Sequence, residues 1–284
     1  MNIGDVKDKI TEVWAAARVI VRRYGHTKKF AKHIVAFAIK QAEGFTDEKL
    51  AEFLGKDPVG RLLGYAKRPN PSTFSKARKR SDPKIFEELY NWLVQDAMKG
   101  KQVRLLVQDS TDVPAYSAKD RRARMGVRTI PKKRQVDEDK VEFFFGYKLH
   151  LDADAEREIP LALSIEPANR HDKRLFRGLF ERVKGMFVLN HDAKFLADSA
   201  CDAWDVRQEL RNNGVTPVIA WNGRRFGKSE AQKDRDYGKR WAIERIFSRL
   251  KEMFGLSNNR FVGIGKVTIH AFSCLIAYLI KYVM

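Results

Sequence analysis

The chain has 284 residues, enough for one large domain, or for a small and a medium one, around a well-filled core. A formal charge of +19 implies a polyanionic partner, with nucleic acid the leading class. Two cysteines, Cys201 and Cys274, exclude a disulfide framework and, without several neighbouring histidines, a four-ligand zinc site.

The opening segment MNIGDVKDKITEVW has mixed charge and no apolar stretch of the kind a secretory signal needs, so a reducing cytoplasm is the expected location. Helical periodicity runs through residues 5–55 (Val13, Ala17, Ile20, then Ile34, Phe37, Ala38), and PKIFEELYNWLVQDAMK predicts a further helix at 83–99. Between them, Pro69 and Pro71 break the segment 64–80, after which Ser72 or Thr73 caps a short basic helix. Such a region resembles a small DNA-binding domain, although a helical bundle with a solvated basic loop fits the same residues. The polar run Lys99, Gly100, Lys101, Gln102 marks the boundary, giving a helical DNA-binding region at 1–100 and a second domain at 101–284.

Beyond the boundary, strands and helices alternate. Strands are predicted at Val103–Gln108, Glu142–Asp152, Ile159–Ile165, Lys194–Ala197 and Pro217–Trp221, with helices at about 172–184 and 204–213. Three strands able to form a meander, then helix and strand in turn, match a ribonuclease-H-like α/β fold: a mixed sheet flanked by helices, preceded by an all-helical N-terminal domain. Residues 119–134 interrupt it with eight Lys or Arg in sixteen positions, reading as a flexible basic loop that orders on a phosphate backbone. The apolar C-terminal run IHAFSCLIAYLIKYVM is too short between His270 and Lys281 for a membrane span and reads as a buried helix.

In YGKRWAIERIFSRLK, Tyr237, Arg240, Glu244 and Lys251 stand at i, i+3, i+7 and i+14, within roughly 60° of one another on a helix. Ile243, Ile246, Phe247, Leu250 and Phe254 occupy another face, so the polar stripe is free to meet a cleft. A solvated face held by an Arg240–Glu244 pair would look the same. In a ribonuclease-H-like sheet, strand ends bring carboxylates to one edge. Asp109 ends LLVQD and Asp198 ends KFLAD, and with Glu244 they form a set of hard oxygen ligands suited to two divalent cations. Asp112 and Asp192 are the alternatives: Asp112 reads as a surface or turn residue, and Asp192 follows Asn190 and His191 in an apparent turn. His171 and Asp172 read as a helix start, and GRRFGKS at 223–229 as a basic loop whose glycines are one residue too close for a phosphate-binding loop.

The order Asp109, Asp198, Glu244, with Tyr237, Arg240 and Lys251 around the last, resembles the DDE transposases of prokaryotic insertion sequences, in the group with the Y-x2-R-x3-E-x6-K signature. GYKLHLDADAEREIPLALSIEPANRHD and LADSACDAW are similar to that group's segments before and around the second aspartate; the resemblance covers about residues 100–262. It implies that Asp109, Asp198 and Glu244 are catalytic and hold two Mg²⁺ (or Mn²⁺) ions, while Tyr237, Arg240 and Lys251 position DNA. Arg121, Arg122, Arg124, Lys132, Lys133 and Arg134 of the basic loop are the further expected DNA contacts. The implied partners are double-stranded DNA, as element terminal repeats and target, and a second protomer in a homodimer on DNA; no membrane is expected, and a nucleoid-associated location follows. The activity implied is cleavage at element ends and transfer of the freed 3′ hydroxyl to target DNA, against the alternatives of a metal-dependent nuclease or resolvase, or an inactive transposase-derived DNA-binding protein. Two departures stand out: Cys201 where the group has an aromatic residue, and an interval of only 46 positions from Asp198 to Glu244, so that the β-rich insertion of many relatives is short or absent.

Overall fold

The computed structural model describes residues 7–130, 140–170, 172–221 and 230–284, which fall into two compact units. One takes the chain up to Lys99 together with Ser248–Asn258 and Gly265–Met284; the other takes Gly100–Phe247 and Asn259–Ile264.

In the helical unit, α1 (Lys7–Arg23) buries Ile10, Val13, Ala17 and Ile20 at the spacing of one helix face. α2 (Lys28–Glu43) stops at Gly44, whose φ of 63° is the left-handed conformation that a glycine adopts without penalty, and whose N–H caps Lys40 and Gln41. α3 (Asp47–Lys56) starts on Thr46, which accepts from the Lys49 N–H, and α4 (Pro58–Leu62) on Asp57, which accepts from Val59. The basic helix expected after Pro71 is α5 (Ser72–Arg80); its first N–H, from Ser72, is met by the Asn70 side chain. α6 (Pro83–Ala97) has Asp82 as cap and Pro83 in its first turn.

The unit is completed by α10 (Ile264–Tyr282). Every residue from Ile269 to Ile280 is buried, and a helix apolar on all sides needs neighbours all round it. Phe272 meets Tyr90 of α6 at 5.5 Å between ring centroids, while Phe37 stacks on Phe86 at 6.2 Å. Among the described residues α10 is the one helix long and apolar enough to cross a membrane, and 72% of that window is buried in the protein. The compact units therefore do not follow a single cut at residue 100, because the N-terminal helices obtain part of their core from the far end of the chain.

The second unit is a mixed sheet with helices. β1 (Gln102–Pro114) lies between β3 (Lys140–Asp154), antiparallel to it, and β5 (Val188–Ala197), parallel to it. β4 (Ile159–Pro167) pairs with β3 on its other side, and β6 (Thr216–Ile219) runs parallel to β5. The strand order β4, β3, β1, β5, β6 is thus an antiparallel meander followed by parallel strands. Two of the flanking helices, α7 (Asp172–Met186) and α8 (Trp204–Asn212), sit in the connections that precede parallel strands. α7 sends Phe176 and Phe180 against Phe195 of β5.

Two expectations from the sequence are corrected here. The basic segment is not a loop throughout: Arg124–Ile130 forms β2, paired with the first half of β3, and Gly146 is where β3 passes from β1 to β2. A side chain at Gly146 would meet the Val113 carbonyl at 2.4 Å, so only glycine permits the crossing. The preceding turn is fastened by buried Asp120, which accepts from the Tyr147 hydroxyl at 2.8 Å and from the Gly263 and Arg122 N–H groups. Those bonds hold its carboxyl below the usual range against the opposing effect of burial. Secondly, Asn190, His191 and Asp192 lie inside β5 and not in a turn.

Candidate active site

Asp109 does not end its strand. β1 runs on for five residues, to Pro114, because β3 is long enough to pair with it there; what stops near Asp109 is β5. The last rung common to β1 and β5 is Val107 with Leu196, and Asp109 and Asp198 each follow two residues later. Two residues is one strand period, so both carboxylates leave the same face of adjacent strands, which lie ~4.8 Å apart. Asp109 Oδ1 accepts from the Ser110 N–H, and Asp198 Oδ1 accepts from Ala200 at 2.8 Å, capping the 3₁₀ turn Ser199–Cys201.

Glu244 comes from α9 (Trp241–Glu252). The residues before it form a separate 3₁₀ turn, Tyr237–Arg240, so the stripe from Tyr237 to Lys251 is not one α-helix as the sequence spacing predicts. A 3₁₀ turn eclipses i and i+3, which keeps Tyr237 and Arg240 on one side. Arg240 then joins two of the expected acids: its guanidinium is 3.2 Å from Glu244 Oε1 and 4.0 Å from Asp109 Oδ2, and it packs over the Trp241 ring. The Arg240 side chain is 16% exposed, Asp109 24% and Glu244 39%, so the group is sheltered yet open to a large substrate.

The segment carrying Arg240 is tied to the sheet by an ion cluster that has no motif in the sequence. Lys194 of β5 donates to Asp236 at 2.8 Å and to Asp234 at 2.9 Å, Arg104 of β1 reaches Asp236 at 3.5 Å, and Arg104 also donates to Glu156. The hydrogen bond to Asp236 is the main cause of a raised Lys194 pKa, and the same bond lowers that of Asp236. Lys194→Met, which leaves two carboxylates short of their counter-ion, is expected to cost about 1–3 kcal/mol of stability, read as a fall in Tm.

Beneath Asp198, the Cys201 thiol donates to Gln108 Oε1 at 3.6 Å, and Gln108 Nε2 donates to Asp152 Oδ1 at 2.7 Å. The small side chain at Cys201 is what lets this buried string form. Asp152 is wholly enclosed and its Oδ2 has no hydrogen-bond partner, so burial raises its pKa to about 8 despite the bond from Gln108.

The remaining candidates stand elsewhere. Arg121, Arg122 and Arg124 are exposed at the turn leading into β2, level with Pro114 and so ~17 Å along the strand from Asp109. Arg124 spends one nitrogen on the Arg121 and Ala123 carbonyls. Arg128 is paired with Glu142 and with Asp112, which lies within β1 and not in a turn. Lys132, Lys133, Arg134, His171 and the 223–229 segment lie outside the described residues. Lys251 follows Glu244 by seven residues on α9, which places both on one face of that helix, ~10 Å apart.

Among the described residues no three His, Cys, Asp or Glu side chains stand close enough together to hold a metal ion. Asp109 and Glu244 nevertheless share one cation, the Arg240 guanidinium, and with Asp198 they offer only carboxylate oxygens, the donor type that hard divalent ions take. The donor set therefore fits such an ion.

The family profile described as the transposase DDE domain matches residues 101–280, well over half of the chain. The chain belongs to the DDE transposase family. Among solved structures it is similar to the piggyBac transposase synaptic complex with hairpin DNA, at 9% identity and a TM-score of 0.41, over 90% of this chain and 66% of that one. It is also similar to the Mos1 transposase paired-end complex with the left transposon end, at 12% identity and a TM-score of 0.25, over 80% and 78% of the two chains. No curated protein matches it.

Proposed function

We propose that the chain is a DNA transposase with a ribonuclease-H-like core, which cleaves the phosphodiester at the ends of an insertion sequence and transfers the freed 3′ hydroxyl to target DNA. The observation that carries this reading is the placement of Asp109 and Asp198 one strand period beyond the last shared rung, with Arg240 joining Asp109 to Glu244. The meander followed by parallel strands is the order such a core requires. Asp109, Asp198 and Glu244 would hold two divalent ions, Mg²⁺ or Mn²⁺; the use of divalent metal is general in the family. When bound, these supply a nucleophilic oxygen at neutral pH and charge stabilisation for the departing 3′ oxygen.

The protein's own residues do the rest. Arg240, already balanced between two acids, donates to a non-bridging phosphate oxygen, and a bidentate guanidinium fixes its orientation. Tyr237 stands beside it on the 3₁₀ turn to guide the strand. Lys251 meets a phosphate farther along the backbone. Double-stranded DNA is the partner, and cutting both ends of an element calls for a dimer on DNA in the cytoplasm, at the nucleoid.

The test is a supercoiled plasmid carrying the DNA that flanks this gene, incubated with protein and Mg²⁺ or Mn²⁺. Cleavage at element ends followed by joining is expected, and EDTA should stop both. Cutting without joining would replace this reading with that of a nuclease or resolvase. In the same assay Lys251→Ala should slow joining on the order of tenfold, the loss of a transition-state phosphate contact worth ~1.4 kcal/mol. Its melting temperature should move little, as partly exposed charge pairs contribute about 0–1 kcal/mol. Undiminished joining by a folded Lys251→Ala protein would assign that lysine to a solvated face.

A further inference from the structure

A cleft of about 390 Å³ opens in the helical unit, lined by Trp14 and Arg18 of α1, Lys29 and Lys32 of α2, and Leu63 and Gly64 after α4. Its charged lining residues are all cations, and no carboxylate lines it. The Lys32 ammonium donates to the Gly64 carbonyl at 3.3 Å and sits 4.3 Å from the centre of the Tyr65 ring, while Arg18 lies 4.9 Å over Trp14. Burial and the charge of Lys29 both hold the Lys32 pKa below the usual lysine value, with no acid to offset them. Neighbouring His33 accordingly stays neutral, its pKa pushed down to about 4 by burial and by Lys32. The indole Nε1 of Trp14 is buried without a hydrogen-bond partner.

Three cations lining one cleft, with no acid among the lining residues, describe a site suited to an anion. We propose that this cleft binds a phosphate of the DNA backbone, whose oxygens accept from the Lys29, Lys32 and Arg18 side chains. The Trp14 and Tyr65 rings carry cations on the faces where a base would stack, so the contact is to backbone and serves to hold the helical unit on the duplex, not to read sequence. A phosphodiester keeps its charge at every working pH, and each one bound releases counterions. This inference rests on the reading of DNA as the partner and adds a site remote in sequence from the carboxylates.

The experiment compares the full chain with Arg18→Gln/Lys29→Gln/Lys32→Gln and with a charge control, Lys49→Gln/Lys99→Gln, both of whose lysines are exposed in the same unit. Affinity for a random-sequence duplex is measured from low to physiological salt. The cleft variant should bind about tenfold or more weakly than the wild type, with a salt slope reduced by about 0.9 for each phosphate lost. The control should stay within twofold of wild type. In parallel, the Trp14 indole N–H resonance of the wild-type protein, assigned with Trp14→Phe, is followed during titration with the duplex and, separately, with inorganic phosphate. A shift with duplex is expected, and this arm stands even if the triple variant does not fold. A cleft variant as tight as the control, a Trp14 signal unmoved by saturating duplex, or a signal moved by inorganic phosphate alone would each overturn the proposal. A wild-type protein that fails to bind any duplex would overturn the DNA reading as well.

Discussion

Asp109→Ala, Asp198→Ala and Glu244→Ala are each expected to abolish Mg²⁺- or Mn²⁺-dependent strand cleavage, by roughly 10³-fold or more. On the proposed function, removing one carboxylate would take away a metal ligand, and the charge stabilisation at stake is several kcal/mol. DNA affinity should stay within a few-fold of wild type, because acids facing a phosphate oppose binding when no cation stands between them. The three substitutions differ in what they leave behind. Asp109→Ala and Glu244→Ala each strip one acceptor from Arg240, which keeps the other, whereas Asp198→Ala removes the cap on the turn Ser199–Cys201 and should also cost about 1 kcal/mol of stability. The measurement is product release from an end-labelled duplex alongside a melting curve for each variant. Wild-type cutting by any one of them would strike that residue from the site.

Asp152→Asn is expected to change stability strongly and in a pH-dependent way. The native carboxyl binds its proton up to about pH 8, while the unfolded chain releases it near pH 4. A raised folded pKa means that this stabilisation is complete below the unfolded value and is lost as pH climbs to the folded value. Wild-type stability should therefore fall between about pH 4 and 8, at up to ~1.4 kcal/mol per unit from this group, and level off above. The amide cannot ionise, keeps an oxygen for Gln108 Nε2, and so removes this contribution to the slope. By pH 8.5 the variant should exceed wild type by several kcal/mol, with ~6 kcal/mol as an upper limit. Urea unfolding at pH 5 and pH 8.5 reads this directly, and parallel pH profiles for the two proteins would show that Asp152 is not buried as a neutral acid.

Much of this protein was legible in the linear chain. Every strand of the sheet except β2 is found from its apolar, β-branched and aromatic residues, although β1 extends past the predicted stretch and β5 begins before it, within residues read as a turn. The helices show through their 3.6-residue spacing, but the cap expected at Ser72 or Thr73 is not one: Ser72 is already the first residue of α5, and its N–H is met by Asn70. The acids and cations of the proposed site stand out in the chain by residue type and interval, and the structure brings Arg240 to both Asp109 and Glu244.

What the tertiary structure decided are the features that depend on a partner far away in the chain. β2 is hidden in a basic segment because its strand character comes from pairing with β3, not from its own side chains. The 3₁₀ turn before α9 depends on Asp236 being held by Lys194 and Arg104, residues 42 and 132 positions away. α10 is plainly apolar in sequence, yet its return to the N-terminal helices is a matter of which core lacks a wall. The bridge of Arg240 from Glu244 to Asp109, and the gathering of Trp14, Arg18, Lys29 and Lys32 around one cleft, are likewise products of folding. Local periodicity encodes which face of an element is buried; only the packed chain determines against what, and which charges meet there.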